Sequence, residues 1–288
     1  VQNVNLPHKA GNQIMDEECK QGAAAGKVVM VGAGPGDPEL ITVKGRAYLE
    51  ACDCVLYDAL LDPVMLEWTR PDCERVCVGK RSGNHSLDQV HINCLLLEKA
   101  RGGRLVVRLK GGDPFIFGRG GEELAALREA GVEVEVVPGV TAAVAAAAAL
   151  QQPLTHRDHA SVLVLATGHE DPLKEREGVD WRLFGSSDAT VVLYMGMKHL
   201  ASIARQMMDA GRSADTPVAV VEWVSTARER HLFSRLGSVA ADCMRQNIQA
   251  PSVVWIGEVL ASSLSPLVFP NPSSAGSPLV PPQAESRG

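Results

Sequence analysis

Three kinds of residue in this chain have the types and spacing to do chemistry, and each stands where an apolar run stops. They are a carboxylate at Asp58, a basic pair at Lys80-Arg81, and two glycine-rich stretches, GAGPGDP (32–38) and KGGDPFIFGRGG (110–121). In the second stretch Gly111 and Gly112 tolerate positive φ, and Phe115, Ile116 and Phe117 put apolar surface on a loop, where it is retained when it contacts something. Arg119 is flanked by Gly118, Gly120 and Gly121, and Glu122 opens an acidic first turn that suits a helix dipole. The stretch reads as a ligand loop. Asp58 has two readings, a cap for the next turn or a working carboxylate.

The glycine patterns argue against phosphate. A dinucleotide fingerprint needs GxGxxG, whereas Gly32, Gly34 and Gly36 make GxGxG, with Asp37 where the third glycine belongs. Pro35 removes an N–H that a pyrophosphate would use, and Asp37 would set a negative charge beside it. A P-loop around Lys80 fails as well, because Glu74 stands where the first glycine should be and Arg81 follows the lysine. A ligand without phosphates fits better. Cys52, Cys54, Cys73 and Cys77 form no CxxC pair, and His156, His159 and His169 lack a matching ligand spacing, so small core residues and hydrogen-bonded histidines are expected rather than a metal site.

These residues need elements to hold them. Lys27–Val31, Cys54–Tyr57, Glu74–Val78, Arg104–Leu109 and Val132–Val137 read as strands with helices between most of them, which predicts a mainly parallel sheet. Asp37 with Pro38 reads as a helix start, and so does Ser86 with Gln89 at the capping-box position. Ligands of such sheets bind beyond the carboxyl ends of the strands. Gly32 to Asp37, Asp58, Lys80-Arg81, Gly111 to Asp113 and Pro138 to Thr141 all follow strands, so they are expected on one rim. A second series, 162–166, 190–194, 217–221, 230–233 and 252–256, is trailed by Thr167-Gly168-His169, Met195-Gly196 and Glu222. The expected fold is therefore two α/β domains with a ligand cleft between them. The expected division is a flexible extension over 1–25, domains over 26–140 and 141–262, and a disordered tail over 263–288 whose proline, serine and glycine disfavour a packed core. Residues 171–179 read as a solvated loop.

Length and composition agree with two domains, since 288 residues with 45% hydrophobic content can bury sizeable cores. A net charge of -6 argues against nucleic acid as the main partner, while local cations can still gather an acidic small molecule. No apolar run reaches the roughly 18 residues of a membrane span. Seven scattered cysteines suggest reduced thiols in a cytosol-like compartment. The first 25 residues lack the features of a signal or transit peptide, so a cytoplasmic protein is expected, or one of the plastid stroma where a leader has been removed.

KGGDPFIFGRGGEE, with VGAGPGDPELIT (31–42), VGKR (78–81) and PLTHRD (153–158), resembles the tetrapyrrole methylase family, with motifs in family order from about Lys27 to Val259. The resemblance implies methyl transfer from S-adenosylmethionine to C2 and C7 of uroporphyrinogen III, giving precorrin-2 for siroheme or cobalamin synthesis, without a metal and in a homodimer. Carried over residue by residue, it makes Asp58 the proton acceptor and Lys80 the proton donor. It sets Pro35, Gly111, Gly112, Asp113, Ile116, Thr141, Ala142, Met195 and Val224 against the cofactor. Arg119, Glu122, Arg157 and His169 would contact the substrate. Two positions depart from the pattern: Val224 stands where relatives often carry a smaller residue, and Ala59 where they place arginine.

Overall fold

The computed structural model describes residues 26–79, 89–168, 178–185 and 188–261. Lys80, Arg81, Ser86 and His169, the expected 1–25 and 263–288 extensions, and most of the 171–179 loop lie outside them. Among the described residues, ten strands form two five-stranded sheets, close to the positions expected from the sequence.

The first sheet contains β1 (Lys27–Gly32), β2 (Cys54–Tyr57), β3 (Glu74–Cys77), β4 (Leu105–Lys110) and β5 (Glu133–Val137). Its order is β3-β2-β4-β1-β5 and every pairing is parallel, as short β-branched runs separated by helices require. Helices α1 (Val43–Ala51), α2 (Val64–Glu67), α3 (Gln89–Ala100), α4 (Gly120–Glu129) and α5 (Ala142–Leu150) accompany it. Strand alternation splits its core in two. Val28, Leu56, Val106, Leu96 and Leu127 make one cluster, while Val29, Val31, Val55, Val107, Leu109 and Leu49 make the other. Each fully buried aliphatic side chain contributes about 1.5–3 kcal/mol. Cys52, Cys54 and Cys73 belong to these clusters, and burial pushes the Cys52 thiol up. Among the described residues, Cys52, Cys54, Cys73, Cys77 and Cys243 are free thiols.

One expected helix start is corrected. Asp37 does accept from the Glu39 N–H and Pro38 does come first, but only a 3-10 turn, Pro38–Leu40, follows. The α-helix begins at Val43, where the Thr42 hydroxyl accepts from the Gly45 N–H at 3.0 Å.

The second sheet contains β6 (Leu163–Thr167), β7 (Thr190–Tyr194), β8 (Pro217–Glu222), β9 (Arg230–Arg235) and β10 (Ser252–Ile256), in the order β6-β7-β10-β8-β9. Only β6 and β7 are parallel, so this sheet is mixed. Helix α6 (Leu200–Asp209) buries Leu200, Ile203, Ala204 and Met207, the i, i+3, i+4, i+7 stripe of an amphipathic helix, and α7 (Val239–Arg245) completes the set.

The chain divides into two compact units. The first runs to Ala149 and takes in Trp223–Glu229; the second holds Leu150–Glu222 and the chain from Arg230. Most of the alanine-rich helix, which the sequence reading assigned to the second domain, thus clusters with the first sheet.

Candidate active site

The loops after β1, β4 and β5 meet backbone to backbone. The Gly34 N–H donates to the Gly112 carbonyl at 3.2 Å, and the Gly112 N–H returns to the Gly34 carbonyl at 2.7 Å. A Cβ on Gly139 would stand 2.2 Å from the Gly112 oxygen, and one on Gly32 2.5 Å from the Gly139 nitrogen, so only glycine fits at either position. Asp113 staples this junction: one carboxylate oxygen accepts from the Phe115 N–H at 2.8 Å and the other from the Gly139 N–H at 3.0 Å. Gly112 itself has φ +66°, and a Cβ there would meet nothing nearer than the Thr141 Cα at 4.0 Å. The structure thus brings Gly111, Gly112, Asp113, Thr141 and Ala142 together.

Pro35 and Val224 are brought together through Gly36. A Cβ on Gly36 would lie 2.7 Å from the Val224 carbonyl oxygen, and the Asp37 N–H donates to the Ser225 hydroxyl at 3.1 Å. Val224 is buried, between Trp223 and Ser225 at positive φ. These loops present backbone groups and apolar side chains, Ile116 among them, and the backbone of Gly112 is not crowded by its neighbours. That chemistry suits the nucleoside and amino-acid parts of S-adenosylmethionine.

Asp58 follows β2 on the rim of the same sheet. Its carboxylate accepts from the Arg108 Nη2 at 2.6 Å and, more distantly, from the Gly111 N–H at 3.4 Å, and it is about one-third exposed. Arg108 is buried and divides its guanidinium: Nε donates to Glu123 Oε1 at 3.2 Å and Nη1 to the Leu109 carbonyl at 3.1 Å. Lys110 Nζ and Gln89 Nε2 donate to that same Glu123 oxygen at 3.0 and 3.2 Å. Glu123 is fully buried, with no hydrogen-bond partner on Oε2. Burial, followed by the Arg108 charge, lowers the Lys110 ammonium below its ordinary value. Sequence reasoning missed this cluster because it treated 104–109 as an apolar strand. The signal was present: Arg108 and Lys110 alternate with Val106 on one face, and a carboxylate follows on the next helix.

Arg119 occupies the N-cap of α4 at φ +56°. It makes a two-pronged pair with Glu122, Nε to Oε1 at 2.9 Å and Nη2 to Oε2 at 2.7 Å. In the second unit Met195 follows β7, half exposed at φ +51°. Arg157 is exposed in the turn closed by His156 and Ala160. Among the described residues no group of three or more histidine, cysteine, aspartate or glutamate side chains forms a metal-binding cluster, and no helix is long and apolar enough to cross a membrane.

Residues 27–240 match the family model of the Tetrapyrrole (Corrin/Porphyrin) Methylases. The chain belongs to the tetrapyrrole methylases. It is 47% identical over 240 residues to a uroporphyrinogen-III C-methyltransferase of Synechocystis, covering 83% of this chain and 91% of that protein. A uroporphyrin-III C-methyltransferase of Thermus thermophilus, solved in complex with S-adenyl homocysteine, is similar with a TM-score of 0.69 and 40% identity, covering 82% of this chain and 93% of the other. A cobalt precorrin-4 methyltransferase of cobalamin biosynthesis has a TM-score of 0.72 at 30% identity, covering 89% of this chain and 99% of the other. The fold is common to methylases of different tetrapyrroles, so within the family the substrate rests on sequence and site.

Proposed function

We propose that this chain is a methyltransferase that moves methyl groups from S-adenosylmethionine to C2 and C7 of uroporphyrinogen III, yielding precorrin-2 for siroheme or cobalamin synthesis. The supporting observation is the 47% identity over nearly the whole of a uroporphyrinogen-III C-methyltransferase, with the motif residues of the first sheet gathered at its carboxyl edge.

S-adenosylmethionine supplies a methyl group already activated on a sulfonium. The chain's task is orientation, which is worth about 7–11 kcal/mol when reacting groups are held in line. Gly111, Gly112 and Asp113, with Pro35, Ile116, Thr141, Ala142, Met195 and Val224, are assigned to hold the cofactor, largely through backbone and apolar atoms. Methylation of a pyrrole carbon leaves a cationic ring that must lose a proton. Asp58, held but still reachable, is assigned to take it, a contribution of about 100- to 10,000-fold. Lys80 is assigned as proton donor by resemblance. Arg119, Glu122, Arg157 and His169 are assigned to the substrate, whose carboxylates call for local cations on a net-negative chain. The reaction is proposed to need no metal, nucleic acid or membrane, and to run in a homodimer in the cytoplasm, or in the plastid stroma where a leader has been removed.

Incubation of the protein with S-adenosylmethionine and uroporphyrinogen III, followed by mass spectrometry and absorbance, tests the activity. Addition of two methyl groups with the precorrin-2 chromophore is expected. No methylation of this substrate, with turnover of a later corrin intermediate, would assign the chain to another branch of the family.

A further inference from the structure

We propose that Arg108 is a positioning residue for the methyl-transfer reaction, orienting Asp58 through a buried relay anchored on Glu123 and Lys110. The proposal rests on the assignment of Asp58 as proton acceptor.

A guanidinium is planar, with its donors at fixed angles, so bonds made by two of its nitrogens determine where the third donor points. In Arg108, Nε is fixed on Glu123 Oε1 and Nη1 on the Leu109 carbonyl. Nη2 is left aimed at Asp58 Oδ1, 2.6 Å away. Strand register adds to this. Leu56 pairs with Arg108, and Asp58 lies two residues beyond Leu56 on the same face. The remaining bond to Asp58, from the Gly111 N–H at 3.4 Å, is too long to set its orientation alone.

The cluster is balanced, with Arg108 and Lys110 against Asp58 and Glu123. Three of its four members have side chains that are 4% exposed or less, while Asp58 reaches the surface at 34%. Buried ion pairs of this kind confer little stability relative to well-packed apolar residues, whereas removal of one partner is strongly destabilising. Aliphatic residues in place of the whole set would extend the apolar cluster of Val106, which precedes Arg108 and Lys110 on the same face. The charges are accounted for by what they do at their exposed end, which is to hold one carboxylate still. Glu123 supplies a fixed anchor from α4, and Lys110 offsets its charge so that Arg108 is not drawn away from Asp58.

A double-mutant cycle between Arg108→Lys and Asp58→Asn tests this. Lysine keeps the charge and loses the fork. Arg108→Lys is expected to lower kcat by at least ~10-fold and Asp58→Asn by at least ~100-fold, with the double variant within about two-fold of Asp58→Asn alone. S-adenosylhomocysteine affinity, read by calorimetry, should hold in all three, which separates positioning from a damaged fold. Losses that multiply in the double variant, or an unchanged kcat in Arg108→Lys, overturn the relay. An unchanged kcat in Asp58→Asn instead overturns the assignment of Asp58 and the relay with it. If Arg108→Lys loses S-adenosylhomocysteine binding, the isosteric Glu123→Gln takes its place in the same cycle, where the same lack of further loss on Asp58→Asn is expected and multiplication refutes.

Discussion

The paired side chains of Arg119 and Glu122 allow a kinetic test whose sign is informative. Both Arg119 prongs are occupied by the Glu122 carboxylate, and both side chains are more than half exposed, at 58% and 55%. An exposed pair of this kind is worth about 0.2–1 kcal/mol. If Arg119 grips a substrate carboxylate, that carboxylate must first displace Glu122, and binding is weakened by the same amount. Glu122→Gln should then lower the Michaelis constant for uroporphyrinogen III by about 1.5- to 5-fold, since about 1.4 kcal/mol corresponds to ten-fold. The gain should shrink in high salt, where exposed pairs are screened. Arg119→Lys keeps the charge but loses the fork, and kcat/KM should fall at least ~10-fold. Steady-state kinetics at two ionic strengths, with S-adenosylhomocysteine affinity as a control, is the assay. A Michaelis constant that rises in Glu122→Gln would show that the direct contact of Glu122 with the substrate outweighs its hold on Arg119, and would refute the competition. An unaltered kcat/KM in Arg119→Lys would remove Arg119 from the site.

Gly112 and Gly139 should respond differently to alanine, although they touch each other. Gly112→Ala has open space but φ +66°, so it should fold with a loss of about 1–2 kcal/mol and weaken S-adenosylhomocysteine binding measured by calorimetry, whereas Gly139→Ala puts a methyl 2.2 Å from a carbonyl oxygen and should show a collapsed urea midpoint. Unchanged affinity in folded Gly112→Ala would place the cofactor elsewhere. Glu135 gives a pH test remote from the site: hydrogen bonds from Lys27, then Lys44 and Tyr48, hold its carboxyl down at about 2. A depressed carboxyl stabilises the fold above the ordinary value and loses that contribution as it becomes protonated. The difference in urea midpoint between the parent and Glu135→Gln should therefore be full at neutral pH and fade between about 4.5 and 2, and a difference independent of pH would refute the network.

Both sheets were legible in the sequence because their strands are short β-branched runs bounded by glycine, proline or aspartate. Asp58, Gly111–Asp113 and Thr141 could be placed on one rim from the rule that ligands sit beyond the strand ends. The direction of the strands in the second sheet was not legible, because burial periodicity is the same for parallel and antiparallel pairing. Nor was the assignment of Trp223–Glu229 to the first unit, which depends on long-range contacts such as the Asp37 N–H to the Ser225 hydroxyl. The charged relay was hidden for a different reason. A cation in a strand is ordinarily read as solvent-facing, and only the three-dimensional arrival of Glu123 beneath Arg108 and Lys110 makes burial tolerable.

Backbone strain is the other feature that composition conceals. Of the seven non-glycine residues at positive φ among the described residues, five fall at or beside candidate site positions: Phe117, Arg119, Met195, Trp223 and Ser225. Such conformations cost of order 1–3 kcal/mol each and persist where surrounding contacts over-determine them. The contacts are visible here. Gly120 donates to the Pro114 carbonyl and closes the loop carrying Phe117 and Arg119, while the Ser225 N–H donates to Glu229 and its hydroxyl accepts from Asp37. Glycine would relieve each strain and lose the side chain. Arginine, phenylalanine and methionine stand there instead, so the surrounding contacts hold large side chains in left-handed turns that glycine would adopt without strain. Two of the five, Arg119 and Met195, are candidate site residues, and the other three flank Ile116, Gly118 and Val224 in sequence.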